Sequence, residues 1–285
     1  MKREKGGCTH LTTKPLMVVG LSFYNDVNSL ERCLDSIVLN LPMRYVKVLA
    51  LDGKYLGYQD KSDLSTDGSR ELVQHYIDKY GKDKIELYDY PNLHERFKRQ
   101  KYVDIAAELG AKFLLILDSD EYVECKNPPD LLDELKHIDA EWQRREDVIN
   151  DNTPPQPNGK DKMPRVGNVH SIKFIDLDDK GYVTNAAARP RLWYHPEDMQ
   201  YFGKHYHFGP KRILNDPNYH QNTINNNNWT RPNSRVGMAL QEAATHKSYI
   251  INNVQVWHSH DMRSEEREQK RYLYETNKLP KLEKP

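Results

Sequence analysis

Residues 113–123, FLLILDSDEYV, place five apolar side chains in succession and follow them at once with Asp118, Ser119, Asp120 and Glu121. An apolar run of this length, closed by polar residues, reads as a strand buried on both faces, the kind a parallel sheet contains. Carboxylates this close repel one another unless something offsets their charge. Either they form a capped turn leading out of the strand, or they hold a divalent cation, for which hard oxygen ligands suit Mg2+ or Mn2+.

The upstream chain repeats the pattern. LMVVGLSFY (16–24) is another doubly buried strand, and after it Leu30, Cys33, Leu34, Ile37, Val38 and Leu41 recur on one helical face. Asn25 or Asp26 can cap that helix and Pro42 ends it. YVKVLALD (45–52) predicts a strand, and STDGSRELVQHYIDKYG (65–81) a helix with a stripe at Leu72, Val73, Tyr76, Ile77 and Tyr80 and a glycine stop at Gly81. KIELYDY (84–90) is a third strand, and a helix from Glu95 to Leu109, closed by Gly110, leads into FLLILD.

Strands alternating with helices predict an α/β fold, a Rossmann-like, mostly parallel sheet with helices on both faces. Such sheets bind ligands at the carboxyl ends of their strands. That edge collects Ser22 to Asn25, Asp52 and the cluster from Asp118 to Glu121.

Downstream, a helix is expected near 129–146, then a loop near 147–168 rich in Pro, Asn, Asp and Gly. VHSIKFIDL (169–177) and AAARPRLWYH (186–195) read as strands hinged at DDKG, SYIINNVQVWHSH (248–260) as a last strand, and SEEREQKRYLYE (264–275) as a charged terminal helix.

The 42 basic residues balance the 42 acidic ones, so no net field draws the chain to nucleic acid or to an anionic membrane. Three scattered cysteines build neither a disulfide framework nor a zinc finger and suit a reducing compartment. PLMVVGL is too short for a signal-peptide core or a membrane span. The expectation is a soluble, cytoplasmic protein with no membrane span.

Two His-x-His pairs stand out, His205 with His207 and His258 with His260. Residues two apart in a strand share a face roughly 7 Å apart, so each pair can serve one site. Among 12 histidines, ordinary hydrogen-bonding pairs of this form also arise by chance. The basic run HERFKRQK (94–101) reads as a solvated helix start from which Arg96 or Lys98 can reach a phosphate.

VVGLSFYND with SLERCLDSI, then VLALDG and STDGSRELV, then KRQKYVDIAAELGAKFLLILDSDEYV resemble, in order and near spacing, the family 2 glycosyltransferases. RPRLWYH with YFGKHYHFG, and VWHSHDMRSEEREQKRYLYE, extend the resemblance more thinly. It implies the GT-A fold and an inverting, metal-dependent transfer of a sugar, hexosyltransferase-like, from a nucleotide-diphosphate donor such as a UDP- or GDP-sugar to an acceptor hydroxyl. By this resemblance Leu21, Ser22 and Asn25 line the nucleotide pocket and Asp52 accepts a hydrogen bond from the base; Ser119, and Arg96 from the basic run, are placed on the nucleotide side with them. Asp118 contacts the ribose or the metal, Asp120 binds the Mn2+ or Mg2+ that bridges the diphosphate, and His258 is a further metal ligand. His205 and His260 are read on the acceptor side, and so is Trp193, one of a cluster of aromatic residues on which a sugar can stack, with core packing the plainer reading of any single ring. The general base stays open among Asp178, Glu197 and His207, with Asp176 and Asp198 behind them.

The family usually has proline where Ser22 stands, and KYLGYQDKSDL interrupts what is normally a tight run into STDGS. The implied organisation is a flexible N-terminus (1–15), a nucleotide-sugar-binding half (16–125), an acceptor and metal half (126–262) and a C-terminal helix and tail (263–285). LLILDSDEY also resembles haloacid-dehalogenase phosphohydrolases, with Asp118 as nucleophile and Asp120 as acid. A GT-A-like module that binds sugar or nucleotide without turnover is the third reading.

Overall fold

The computed structural model describes residues 14–58, 62–150, 169–178, 180–201, 208–211 and 249–259. Its first half alternates as expected: β1 (Met17–Phe23), α1 (Val27–Asn40), β2 (Val46–Asp52), α2 (Ser69–Tyr80), β3 (Ile85–Asp89), α3 (Glu95–Glu108) and β4 (Phe113–Asp118). A two-residue turn at Ser119 and Asp120 then leads straight into β5 (Glu121–Cys125), a strand the sequence pattern does not announce. It is followed by α4 (Pro128–Asn150), β6 (Val169–Leu177), β7 (Val183–Tyr194), a 3-10 turn (Pro196–Asp198), β8 (Met199–Tyr201), β9 (Phe208–Pro210) and β10 (Ile250–Ser259). The helix expected to end near 146 continues to Asn150, and the remaining loop, like the expected terminal helix, lies outside the described residues.

Eight strands form one sheet in the order β3-β2-β1-β4-β7-β6-β10-β5. β1 to β4 are mutually parallel, as is the pair β6 and β10, while β7 runs antiparallel to β4 and β6, and β5 antiparallel to β10. The architecture is a mixed, mostly parallel α/β sheet flanked by helices. β1, β2 and β4 are buried on both faces because a separate apolar cluster covers each face, while β3, at the edge of the sheet, is only partly covered. Leu30, Leu34 and Ile37 of α1 with Leu131, Leu135 and Ile138 of α4 lie in one cluster. Tyr102, Val103 and Ala106 of α3 with Trp193, Tyr201 and Phe208 lie in the other.

One glycine sets the spacing on the second face. A Cβ at Gly20 in β1 would stand 2.7 Å from Cγ of Tyr102, so α3 approaches the sheet this closely only because no side chain intervenes.

Two local expectations are corrected. Asp26 occupies the N-cap position of α1, but its side chain makes no capping bond; its Oδ2 accepts from Ser119 Oγ at 2.5 Å. The run 94–101 is not a solvated helix start: Lys98 is 0% and Arg99 1% exposed, because α3 lies with that face against the sheet.

Candidate active site

The carboxyl ends of β1, β2 and β4 lie side by side, since Ser22 is in register with both Leu51 and Asp118, and Phe23 with Asp52. β10 reaches the same rim from the far half of the sheet, because His258 is in register with Asp176 of β6 on one side and Glu121 of β5 on the other. Topology thus brings together residues that are far apart in the chain.

Each carboxylate of the β4–β5 turn has its own partner. Arg99 of α3 places Nη2 2.6 Å from Asp118 Oδ1 and Nε 2.9 Å from Glu95 Oε1. Glu121 is buried and ion-paired with Arg191 of β7, while its second oxygen accepts from the Asp118 amide at 3.0 Å. Burial pushes the Glu121 carboxyl up to about 7; Arg191 opposes that shift, and Asp118 and Asp120 add to it. Asp120 faces His258, with Oδ2 3.0 Å from Nε2.

The other nitrogen of that ring, Nδ1, lies 2.9 Å from Asp176 Oδ1. Burial works to lower the His258 pKa, but the bonds to Asp120 and Asp176 outweigh it and hold the ring above its ordinary value. Asp176 is held below the usual carboxylate range, burial being overcome by His258 and Arg189. A carboxylate behind one imidazole nitrogen and a second in front of the other is the arrangement in which a histidine is oriented to ligate a metal.

The residues present fit a divalent cation. Two donors at right angles on an octahedral ion, each 2.0–2.1 Å from it, stand about 3 Å apart, and Asp120 Oδ2 and His258 Nε2 are 3.0 Å apart. Among the described residues no three His, Cys, Asp or Glu side chains gather into a cage of their own. Mg2+-type sites commonly use one or two protein ligands and take the rest from water and substrate phosphates.

The nucleotide-side residues are built into the scaffold. Asp52 is 0% exposed, and its carboxylate accepts from Gly53 N at 2.7 Å, Ser65 Oγ at 2.6 Å, Ser65 N at 3.1 Å and Arg70 Nη1 at 2.7 Å. Four donors match the acceptor capacity of a carboxylate, so here Asp52 fastens the segment after β2 to the sheet. Asn25, at φ 45°, joins the same network: its amide donates to Ser65 Oγ and its Oδ1 accepts from Thr66 N. Ser22 Oγ lies 2.9 Å from Tyr55 OH, and Ser119 is tied to Asp26 as described. The side chain of Leu21 belongs to the core.

The described part of the inserted stretch after Asp52, residues 54–58 and 62–64, packs onto the sheet end. Tyr55 and Tyr58 meet edge to face, as do Tyr58 and Tyr24, giving an aromatic group above the ends of β1 and β2. Lys98 supports it from below, donating to the carbonyls of Phe23 at 3.0 Å and Gly53 at 2.6 Å with its ammonium 4.7 Å from the Tyr55 ring centroid.

Other expected site residues stand elsewhere. Glu197 follows β7, whose Tyr194 is in register with Phe113, so it lies beside the amino end of β4, the edge opposite Asp118; there it pairs with His195 at 2.7 Å. That bond foremost holds the Glu197 carboxyl below its ordinary range. Asp178 lies at the correct edge, but its Oδ1 accepts from the amides of Lys180 and Tyr182 and closes the β6–β7 turn. Trp193 is not on an accessible acceptor face: it is 0% exposed and packs between Tyr201 and Phe208, because β7 pairs with β4 at Leu114. Arg96 donates through Nε to the Tyr201 carbonyl at 3.0 Å. His205, His207 and His260 lie outside the described residues.

Sequence reasoning missed Arg99, Arg191, Glu95 and the orienting role of Asp176. No sequence signal pointed to the last: Asp176 is the penultimate residue of β6, and only the parallel pairing of β6 with β10 sets it beside His258.

No family model matches the chain, and no curated protein sequence matches it. Solved structures with a likeness to it include S. aureus TarS 1-349 in complex with UDP-GlcNAc, at 14% identity and TM-score 0.45 over 85% of this chain and 58% of that one. A longer TarS chain is matched over 22% of its own length. The mannosyltransferase PcManGT from Pyrobaculum calidifontis, in complex with GDP-Man and Mn2+, is 20% identical over 42% of this chain and 31% of that one, at TM-score 0.31. 4-Diphosphocytidyl-2C-methyl-D-erythritol synthase from Anaerococcus prevotii is 9% identical over 92% and 97% of the two chains, at TM-score 0.37. This chain thus spans about a fifth of the longer TarS chain and just over half of TarS 1-349. No helix among the described residues is long and apolar enough to cross a membrane.

Proposed function

We propose that the protein is a metal-dependent glycosyltransferase of the inverting type, taking its sugar from a nucleotide diphosphate. The observation that carries this reading is the approach of His258 Nε2 to Asp120 Oδ2 at 3.0 Å, across 138 residues, with Asp176 behind the ring. The motif resemblance names the same two residues as ligands of the donor's cation, and the fold brings them to one point of the ligand edge.

Asp120 and His258 would hold the cation, the imidazole favouring Mn2+ over Mg2+, and an ion held there would supply positive charge against a departing diphosphate. The chain's own residues do the rest. Asp176 fixes the imidazole so that Nε2 faces Asp120. Arg99 and Arg191 offset Asp118 and Glu121, which keeps this carboxylate cluster from repelling an anionic donor. Of the aromatic group at the ends of β1 and β2, Tyr24 and Tyr55 are buried and Tyr58, packed edge to face on both, is the half-buried ring that a base can meet. Attack by the acceptor hydroxyl requires a base on the opposite side of the sugar, and of the three foremost candidates Asp178 and His207 remain for that role.

The phosphohydrolase reading is not favoured: it needs Asp118 as a free nucleophile, and that carboxylate is ion-paired with the buried Arg99.

The test is calorimetric titration of UDP and GDP into the protein with and without Mn2+. Metal-dependent binding that disappears in Asp120→Asn and weakens in His258→Gln is expected. Nucleotide affinity indifferent to Mn2+ in the parent protein, or unchanged in Asp120→Asn, would remove the assignment.

A further inference from the structure

β7 carries two arginines on one face, and both lean over the ring of Phe174: the guanidinium carbons of Arg189 and Arg191 lie 4.4 and 5.1 Å from its centroid. The ring also touches His258, with centroids 5.7 Å apart. The two arginines differ in commitment. Arg191 is buried against Glu121, whereas the Arg189 side chain keeps 30% of its surface exposed. Arg189 Nη2 is 2.8 Å from Asp176 Oδ2, the carboxylate whose other oxygen meets His258. A partly exposed arginine side chain therefore sits one carboxylate away from the cation-holding pair.

Charge balance gives that position a purpose, on the reading proposed above. A diphosphate bears charge on both phosphates, and a divalent ion already partly offset by Asp120 leaves some of it uncompensated. A guanidinium presents a planar fork of donors that matches phosphate oxygens, and partial exposure lets it exchange one anion for another without a full desolvation penalty. Arg99 and Arg191 are buried against carboxylates of the fold, and Arg70, almost as exposed as Arg189, is held by Asp52 and Asp89 at the β2–β3 end of the sheet, several strands from β10.

We propose that Arg189 is the protein's own cation for the donor's diphosphate, held ready by Asp176 and by stacking on Phe174, and turned toward the phosphates when donor binds.

The test uses inorganic pyrophosphate, which removes the question of the base. Mn2+ alone, and pyrophosphate in the presence of Mn2+, are titrated into the full chain and into Arg189→Met and Arg189→Lys. Loss of a charge-assisted pair predicts pyrophosphate binding weaker by about tenfold or more in Arg189→Met, with Mn2+ affinity within about threefold of the parent and partial recovery in Arg189→Lys. Pyrophosphate affinity in Arg189→Met within about twofold of the parent would overturn the proposal. A parallel loss of Mn2+ affinity would overturn it too, since Arg189 would then act only by supporting Asp176 and His258. A parent protein that binds neither probe would strike the glycosyltransferase reading beneath it as well.

Discussion

Arg99 Nη2 lies 2.6 Å from Asp118 Oδ1, and its Nε lies 2.9 Å from Glu95 Oε1. One guanidinium thus ties the first turns of α3 to the end of β4, with Arg99 and Glu95 almost completely buried. Removing one partner of such a network leaves charge in the interior without compensation. Arg99→Met is expected to lower stability by about 3–5 kcal/mol, and Arg99→Lys by less, because it keeps the charge and loses the fork. Urea unfolding of the two variants checks this. Equal midpoints for parent and Arg99→Met would mean the network contributes nothing to the fold.

Asp176 orients His258 without lying in front of the proposed cation. Removing such an outer partner commonly lowers metal affinity by about 10- to 100-fold, and Asp176→Asn is expected to fall in that range. The free Mn2+ signal in an electron paramagnetic resonance titration measures it directly. Parent-like affinity in Asp176→Asn would argue that His258 is not a ligand.

Gly20 and Tyr102 are in contact across the sheet–helix interface. In Gly20→Ala the new methyl would stand 2.7 Å from the ring, and Tyr102 is 0% exposed, so it has no room to withdraw. Overpacking of this kind costs about 1–3 kcal/mol, and a lower melting temperature is expected. A second change, Tyr102→Leu, should relieve part of the loss. A single variant as stable as the parent would show that α3 can move away from β1.

His170 gives the fold a pH dependence. Its Nδ1 accepts from the Tyr249 amide at 3.1 Å, its Nε2 meets no hydrogen-bond partner among the described residues, and burial lowers its pKa from 6.5 to about 4. Between those values the unfolded chain takes up a proton that the folded one refuses. Stability therefore falls as pH drops from the ordinary histidine range toward 4, by about 3 kcal/mol from this residue. His170→Gln, which cannot titrate, should show a shallower slope over that window in denaturant unfolding. Identical slopes would mean that the folded state accepts the proton.

The parallel half of the fold was legible because β1, β2 and β4 are continuous apolar runs separated by helical spacing and by stops at Gly81 and Gly110. β5 was not, since EYVEC carries no such signal and becomes a strand only by pairing with β10. The meeting of Asp120 and His258 was anticipated through motif resemblance; nothing in their spacing predicts it. Lys98 and Arg99 were misread because a basic run ordinarily faces solvent, and their partners, the Phe23 carbonyl and Asp118, are supplied by strands distant in sequence. Glu197 is a base candidate, and Trp193 an acceptor-side ring, on residue type alone. The antiparallel course of β7 carries the first to the opposite edge and buries the second against β4.

At the outer margin of the sheet, β5 pairs with β10 on one side, and on the other α1 supplies side chains: Ser36 Oγ accepts from the Val123 amide at 3.0 Å and Asn40 Oδ1 from the Cys125 amide at 3.5 Å. A stray extended polypeptide arriving at that border finds these two amides already taken. The helix next to the candidate active site thus also blunts an edge that would otherwise invite strand-to-strand self-association.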